Sequence, residues 1–85
     1  MIITRTPNPN AMKFSAGRTL VEGPGRTYHS RADASNEPLV EPLFAIPGVA
    51  SVFMVADFIT VIKTPDTSWD TLLPALTGTL EAALG

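Results

Sequence analysis

His29 is followed at intervals of four by Asp33 and Glu37. On a helix that spacing would place an imidazole and two carboxylates on one face, a donor set for a hard metal ion. Ser30 to Asn36 lacks a helical pattern, so the sequence favours a surface histidine among polar neighbours. Acid–base catalysis wants paired carboxylates or a histidine in an apolar cleft. Asp57 lies between two strand-like runs, where turn propensity accounts for it, and Asp66 and Asp70 flank a helix start, where capping does. Glu22, Glu41 and Glu81 have no visible partners. The chain has no cysteine, which removes thiolate nucleophiles, disulfides and thiolate metal sites. The serines lack a nucleophile elbow, and Glu22-Gly23-Pro24-Gly25-Arg26 matches neither the phosphate loop nor the dinucleotide fingerprint. The expectation is a non-enzymatic chain with no catalytic residue, cofactor or metal ligand. Phe44, Phe53 and Phe58 could stack nucleobases. Core packing explains them more simply and predicts that two of the three are buried.

The remaining candidate is Thr6-Pro7-Asn8-Pro9-Asn10. Prolines remove ladder donors and asparagine is a poor strand former, so the segment interrupts the strands around it. Asn8-Pro9-Asn10-Ala11 suits a β-turn, with proline fixing the second position and asparagine tolerating the third. Turn chemistry accounts for the residue types but not for the doubled Asn-Pro pattern. A rigid loop loses little entropy on binding. Two readings therefore stand side by side: a stiff hairpin connection, and a protein-recognition face formed by Thr6, Pro7, Asn8, Pro9 and Asn10 with Lys13 and Arg18.

Ile2–Thr6 and Met12–Ser15 read as strands on either side of this loop. Thr19–Val21 extends the second past a bend, and Arg26–His29 offers a further short strand. From Ser35 the apolar period changes, and Leu39, Leu43, Phe44 and Ile46 form a helical stripe that Pro47-Gly48 ends. Pro42 conflicts with a helix that begins at Pro38; a bend or a later start at Glu41 resolves it. Val49–Lys63 forms a hairpin about Ala56-Asp57. Thr67 and Asp70 suit a capping box ahead of a helix whose face carries Trp69, Leu72, Leu73, Leu76, Leu80, Ala83 and Leu84. Together these predict one α+β domain over 1–85, a two-layer antiparallel sheet of about four strands with two helices on one face. Its predicted core joins Phe44, Val52 or Phe53, Ile59, Val61, Leu72, Leu76 and Leu80.

The chain has 85 residues, 45% of them hydrophobic, and a net charge of −2. One small domain can bury a core at this composition. Nucleic acid is an unfavoured partner, because non-specific binding needs a basic face. Arg5, Lys13, Arg18, Arg26 and Arg31 lie in the first half and Lys63 alone in the second. No apolar run reaches the roughly 18 residues of a membrane span, and the start has no signal-peptide core. The expected location is the cytoplasm.

Several phrases occur in a telling order: Thr6-Pro7-Asn8-Pro9-Asn10, Met12-Lys13-Phe14, Glu37-Pro38-Leu39, Leu43-Phe44-Ala45-Ile46-Pro47-Gly48-Val49, Ser51-Val52-Phe53, and Asp57-Phe58-Ile59-Thr60-Val61 leading to Lys63. This string resembles the N-terminal domain of the Nfu/NifU-type iron–sulfur scaffold proteins over nearly the whole chain. It departs at Glu37, where that family usually has serine, and at Pro42, an extra proline. The resemblance implies a small α+β domain associated with iron–sulfur cluster assembly. In full-length members a separate C-terminal domain carries a Cys-x-x-Cys pair that holds the cluster. A cysteine-free chain looks like a stand-alone or excised version without that half, and family-level iron binding transfers to no residue here. The implied function is an accessory, protein-interaction module that docks on a scaffold or an apo-target. The alternative is a regulatory module binding another protein or an RNA outside cluster assembly.

Overall fold

The alternating run from Val49 to Lys63 folds as the centre of the sheet, in a computed structural model that describes residues 1–84. The strands are β1 (Ile2–Arg5), β2 (Ala11–Ser15), β3 (Arg26–Tyr28), β4 (Val49–Val55) and β5 (Phe58–Lys63). They form one antiparallel sheet in the order β1-β2-β5-β4-β3. The α+β class holds, but the sheet has five strands rather than about four, because Arg26–Tyr28 pairs with β4. Thr19–Val21 adds no strand. It is tied down instead by the Ala56 carbonyl, which accepts the Leu20 and Val21 amides at 2.7 and 3.2 Å.

The two expected helices reduce to one. Trp69–Leu84 is the α-helix α1, whereas Glu41–Ala45 is a single 3-10 turn. Pro38 and Pro42 each remove an amide donor, and Pro47 follows closely, so no run long enough for a second α-helix remains. The start of α1 differs from the Thr67 capping box. The Ser68 hydroxyl accepts the Asp70 amide at 3.1 Å, while the Thr67 hydroxyl donates to the Thr64 carbonyl at 2.8 Å.

Strand alternation sends Met12 and Phe14 of β2, Val52 and Met54 of β4, and Ile59 and Val61 of β5 to one face. There they meet Leu72, Leu76 and Leu80 of α1 and Leu43 of the 3-10 turn in a single core. Val52, not Phe53, is the buried member of its pair, and Phe44 only half-buries against the rim. The expectation that two of Phe44, Phe53 and Phe58 are buried fails: all three are half-buried, and Phe14 is the phenyl ring in the core. Phe53 and Phe58 sit on the uncovered face, packed edge to face with centroids 6.5 Å apart.

Gly25 explains how Phe53 settles on that bare face. A Cβ built there would stand 2.8 Å from the Phe53 ring and 2.9 Å from the Val55 Cβ, so the ring occupies the space a side chain would need. Gly25→Ala is expected to cost about 1–2 kcal/mol, overpacking outweighing the gain in backbone entropy. A lowered urea midpoint with an unchanged slope is the readout.

Candidate functional site

The loop Thr6–Asn10 joins β1 to β2, and its own polar groups close one side of it. The Asn8 carbonyl accepts the Ala11 amide at 3.0 Å, which closes the turn expected from Asn8 to Ala11. Asn8 Oδ1 accepts the Asn10 amide at 2.9 Å, so the asparagine holds its own turn. The Thr6 hydroxyl accepts the Asn8 amide at 3.1 Å and lies 2.9 Å from the Asn8 carbonyl and 3.1 Å from that of Ala11.

Two distant elements pin the other side of the loop. Lys63, at the end of β5 on the core face, is 8% exposed. Its amide donates to the Asn10 carbonyl at 2.8 Å, and its Nζ donates to Asn10 Oδ1 at 3.0 Å and to the Thr64 carbonyl at 3.3 Å. Trp69, the first residue of α1, donates its indole N–H to the Pro9 carbonyl at 2.9 Å. The Lys63 ammonium stands 5.8 Å from the centre of the Trp69 ring, within cation–π range. The only ion pair among the described residues is Arg31–Glu41, so carbonyls and an aromatic face solvate the buried charge of Lys63. The exposed Asp66 carboxyl is held below its ordinary pKa, chiefly by the Thr64 hydroxyl, then by its own backbone amide, and least by the charge of Lys63.

The site residues named from sequence do not all converge. Thr6, Pro7, Asn8, Pro9 and Asn10 form one loop, with Pro7, Asn8 and Pro9 exposed. Lys13 lies along β2 on the uncovered face, its ammonium 4.3 Å above the Phe58 ring. Arg18 lies past the other end of β2, where its guanidinium donates to the Leu84 carbonyl at the end of α1. There it satisfies an orphan helix carbonyl and complements the helix dipole. Trp69 and Lys63, which the sequence placed in the helix stripe and the hairpin, also anchor the loop.

The other chemistry stays dispersed. The His29 amide, not its ring, bonds the Asp33 carboxylate at 3.1 Å, and Glu37 accepts the Leu39 amide at 3.4 Å. Among the described residues no three histidine, cysteine or carboxylate side chains gather as a metal site. No described helix is long and apolar enough to cross a membrane.

The chain and its fold have counterparts among known proteins. NifU-like protein 5, mitochondrial, of Arabidopsis thaliana is 41% identical over 69 residues, which is 81% of this chain and 25% of that protein. NFU1 iron-sulfur cluster scaffold homolog, mitochondrial, of Homo sapiens is 41% identical over 76 residues, 88% of this chain and 30% of that protein. The chain thus spans between a quarter and a third of these relatives. A crystal structure of a Staphylococcus aureus protein superimposes with a TM-score of 0.81 at 33% identity, covering 100% of this chain and 96% of that one. The sequence profile described as "Scaffold protein Nfu/NifU N terminal" matches residues 1–85. The chain belongs to the Nfu/NifU scaffold N-terminal family.

Proposed function

We propose that this domain is a non-catalytic protein-interaction module of iron–sulfur cluster assembly that docks on a scaffold or an apo-target. It leaves cluster ligation to other chains or domains, since its 85 residues supply no thiolate. One observation carries the reading. The Thr6–Asn10 loop spends its oxygen acceptors on holding its own shape, while the side-chain amide groups of Asn8 and Asn10 have no acceptor among the described residues. Such a loop is already ordered before contact, so little conformational entropy opposes binding. The family and the scaffold name of the human relative supply the cluster-assembly context. Phe53, Phe58 and Lys13 offer a nucleic acid only one cation and a ring pair packed edge to face, which suits stacked bases poorly.

Asn8→Asp separates the two roles of the loop. It keeps the oxygen that accepts the Asn10 amide and removes the outward amide donor. The folded variant is expected to recover cluster-assembly proteins from the native extract at least about tenfold less well than the parent, as loss of a hydrogen bond to a buried partner implies. Equal recovery by both, quantified by mass spectrometry, would reduce the loop to a stiff connection. Absence of cluster-assembly proteins from the parent's own capture would overturn the wider reading.

A further inference from the structure

We infer that the free edge of β1 is a strand-addition site for an extended segment of a partner protein that carries carboxylates followed by apolar residues. The inference rests on the protein-interaction reading but uses a surface other than the loop. Met1, Ile2 and Ile3 are 45%, 69% and 41% exposed, and they are the exposed large hydrophobic side chains among the described residues. All three are consecutive, on or beside a single edge strand.

The hydrogen-bond phase of the sheet identifies which peptide groups are free. The Ala16 amide bonds the Asp57 carbonyl and the Lys63 amide bonds the Asn10 carbonyl, so the even-numbered residues of β2 face β5. Lys13 and Ser15 therefore face β1, where Thr4 and Ile2 are their partners. The peptide groups of Ile3 and Arg5 point away from the sheet, with no strand beyond them. Edge strands are commonly blunted by shortness, proline or inward charge. The opposite edge is: β3 has three residues, opens on Arg26 after Gly23-Pro24-Gly25, and is followed by the His29–Asp33 bond. β1 is short too, at four residues, but no proline or charge falls within Ile2 to Thr4.

Charge selects the occupant. The first carboxylate in the chain is Glu22, so β1 and β2 carry only cations. Arg5 is exposed and has no ion-pair partner among the described residues. Lys13 flanks Thr4 on the uncovered face. The Ile2 end lies instead beside Asp57, with which it shares a shallow cleft. A segment running antiparallel to β1 thus meets cations first and apolar side chains next, which fits a Glu-Glu-Val-Val order. A second copy suits the edge less well. Four residues of edge fall far short of the roughly 1,200 Å² that a stable interface buries, whereas linear segments bind through backbone pairing over such short edges.

The test is an amide-resolved NMR titration of the full chain with the capped peptide Thr-Glu-Glu-Val-Val-Thr, beside its analogue with lysine in place of glutamate. Shifts are expected to centre on Ile2–Arg5, with hydrogen exchange at the Ile3 and Arg5 amides slowed on binding. Arg5→Glu should weaken the glutamate peptide at least about tenfold and favour the lysine analogue, since a rim contact becomes a repulsion. Ile3→Pro deletes the outward donor and one apolar side chain of the edge, spares the ladder bonds of Ile2 and Thr4, and should abolish binding with the sheet intact. Asn8→Ser, which removes the loop's amide donor without placing a charge beside Arg5, should leave this binding unchanged, which separates its failure from failure of the loop. No binding, shifts centred elsewhere, or indifference to both β1 variants overturns the proposal. Self-association in sedimentation that Ile3→Pro removes would assign the edge to a second copy, and overturn it too.

Discussion

Phe14→Ala is expected to lower the unfolding free energy by about 3–5 kcal/mol, and Leu76→Ala by about 2–5 kcal/mol. Phe14 is 1% exposed on β2, and Leu76 is fully buried in the middle of α1. Both side chains fill the single core between sheet and helix, so truncation leaves a cavity that the surrounding strands cannot collapse. Domains of this kind have a total stability of about 5–15 kcal/mol, so either change removes a large share of it. Phe53→Ala is the contrasting case. Its ring lies half-buried on the uncovered face, and its removal opens no enclosed cavity. Its cost should stay below about 2 kcal/mol, the transfer term of a partly buried ring. Urea melts followed by far-ultraviolet dichroism measure all three. Equal losses for Phe14 and Phe53 would mean that the faces of the sheet have been exchanged.

That exchange is also where the sequence is ambiguous. The hairpin and α1 were legible, because Ala56-Asp57 sits between two apolar runs and the α1 leucines recur at helical spacing. In β4, however, Phe53 and Val55 on one face are no less apolar than Val52 and Met54 on the other. Alternation gives a strand without telling which side the helix covers, and so Phe53 and Phe58 read as core. The apolar stripe from Leu39 to Ile46 suggested a second helix, but Pro38 and Pro42 limit it to one 3-10 turn. β3 is only three residues long, and its place in the sheet comes from pairing with β4 rather than from local propensity.

The candidate site divides in the same way. Asn8-Pro9-Asn10-Ala11 was readable as a turn because its bonds are local. Lys13 and Arg18 were grouped with it by nearness in sequence, and β2 carries Arg18 to the far end of the sheet instead. The Lys63–Asn10 and Trp69–Pro9 bonds span 53 and 60 residues. No pattern in a single sequence reports such pairs. A lysine closing the alternating run of β5 was the one visible irregularity: Ile59 and Val61 share its face, and a charge in that position needs a partner.

Asn10→Ala is therefore expected to cost about 1.5–3 kcal/mol, the range for a hydrogen bond to a charged group. It removes the side-chain oxygen 3.0 Å from the Lys63 ammonium and leaves that charge with the more distant Thr64 carbonyl and the Trp69 ring. Lys63→Met should cost much less. It deletes the charge together with its demand for acceptors, keeps the length of the stem, and spares the backbone bond from residue 63 to the Asn10 carbonyl. The double variant is the decisive member of the cycle. If the penalty of Asn10→Ala is a stranded ammonium, adding Lys63→Met should restore part of the lost stability, giving a coupling energy of about 1 kcal/mol or more. Additive losses across the cycle would mean that the two side chains act independently, and that Asn10 is held by its backbone alone. Trp69 fluorescence adds a local reading, since its indole donates to Pro9 in the same loop. Its emission should shift with Asn10→Ala before global unfolding begins, because loss of the Lys63 anchor frees the Pro9 side of the turn while the core beneath it stays closed.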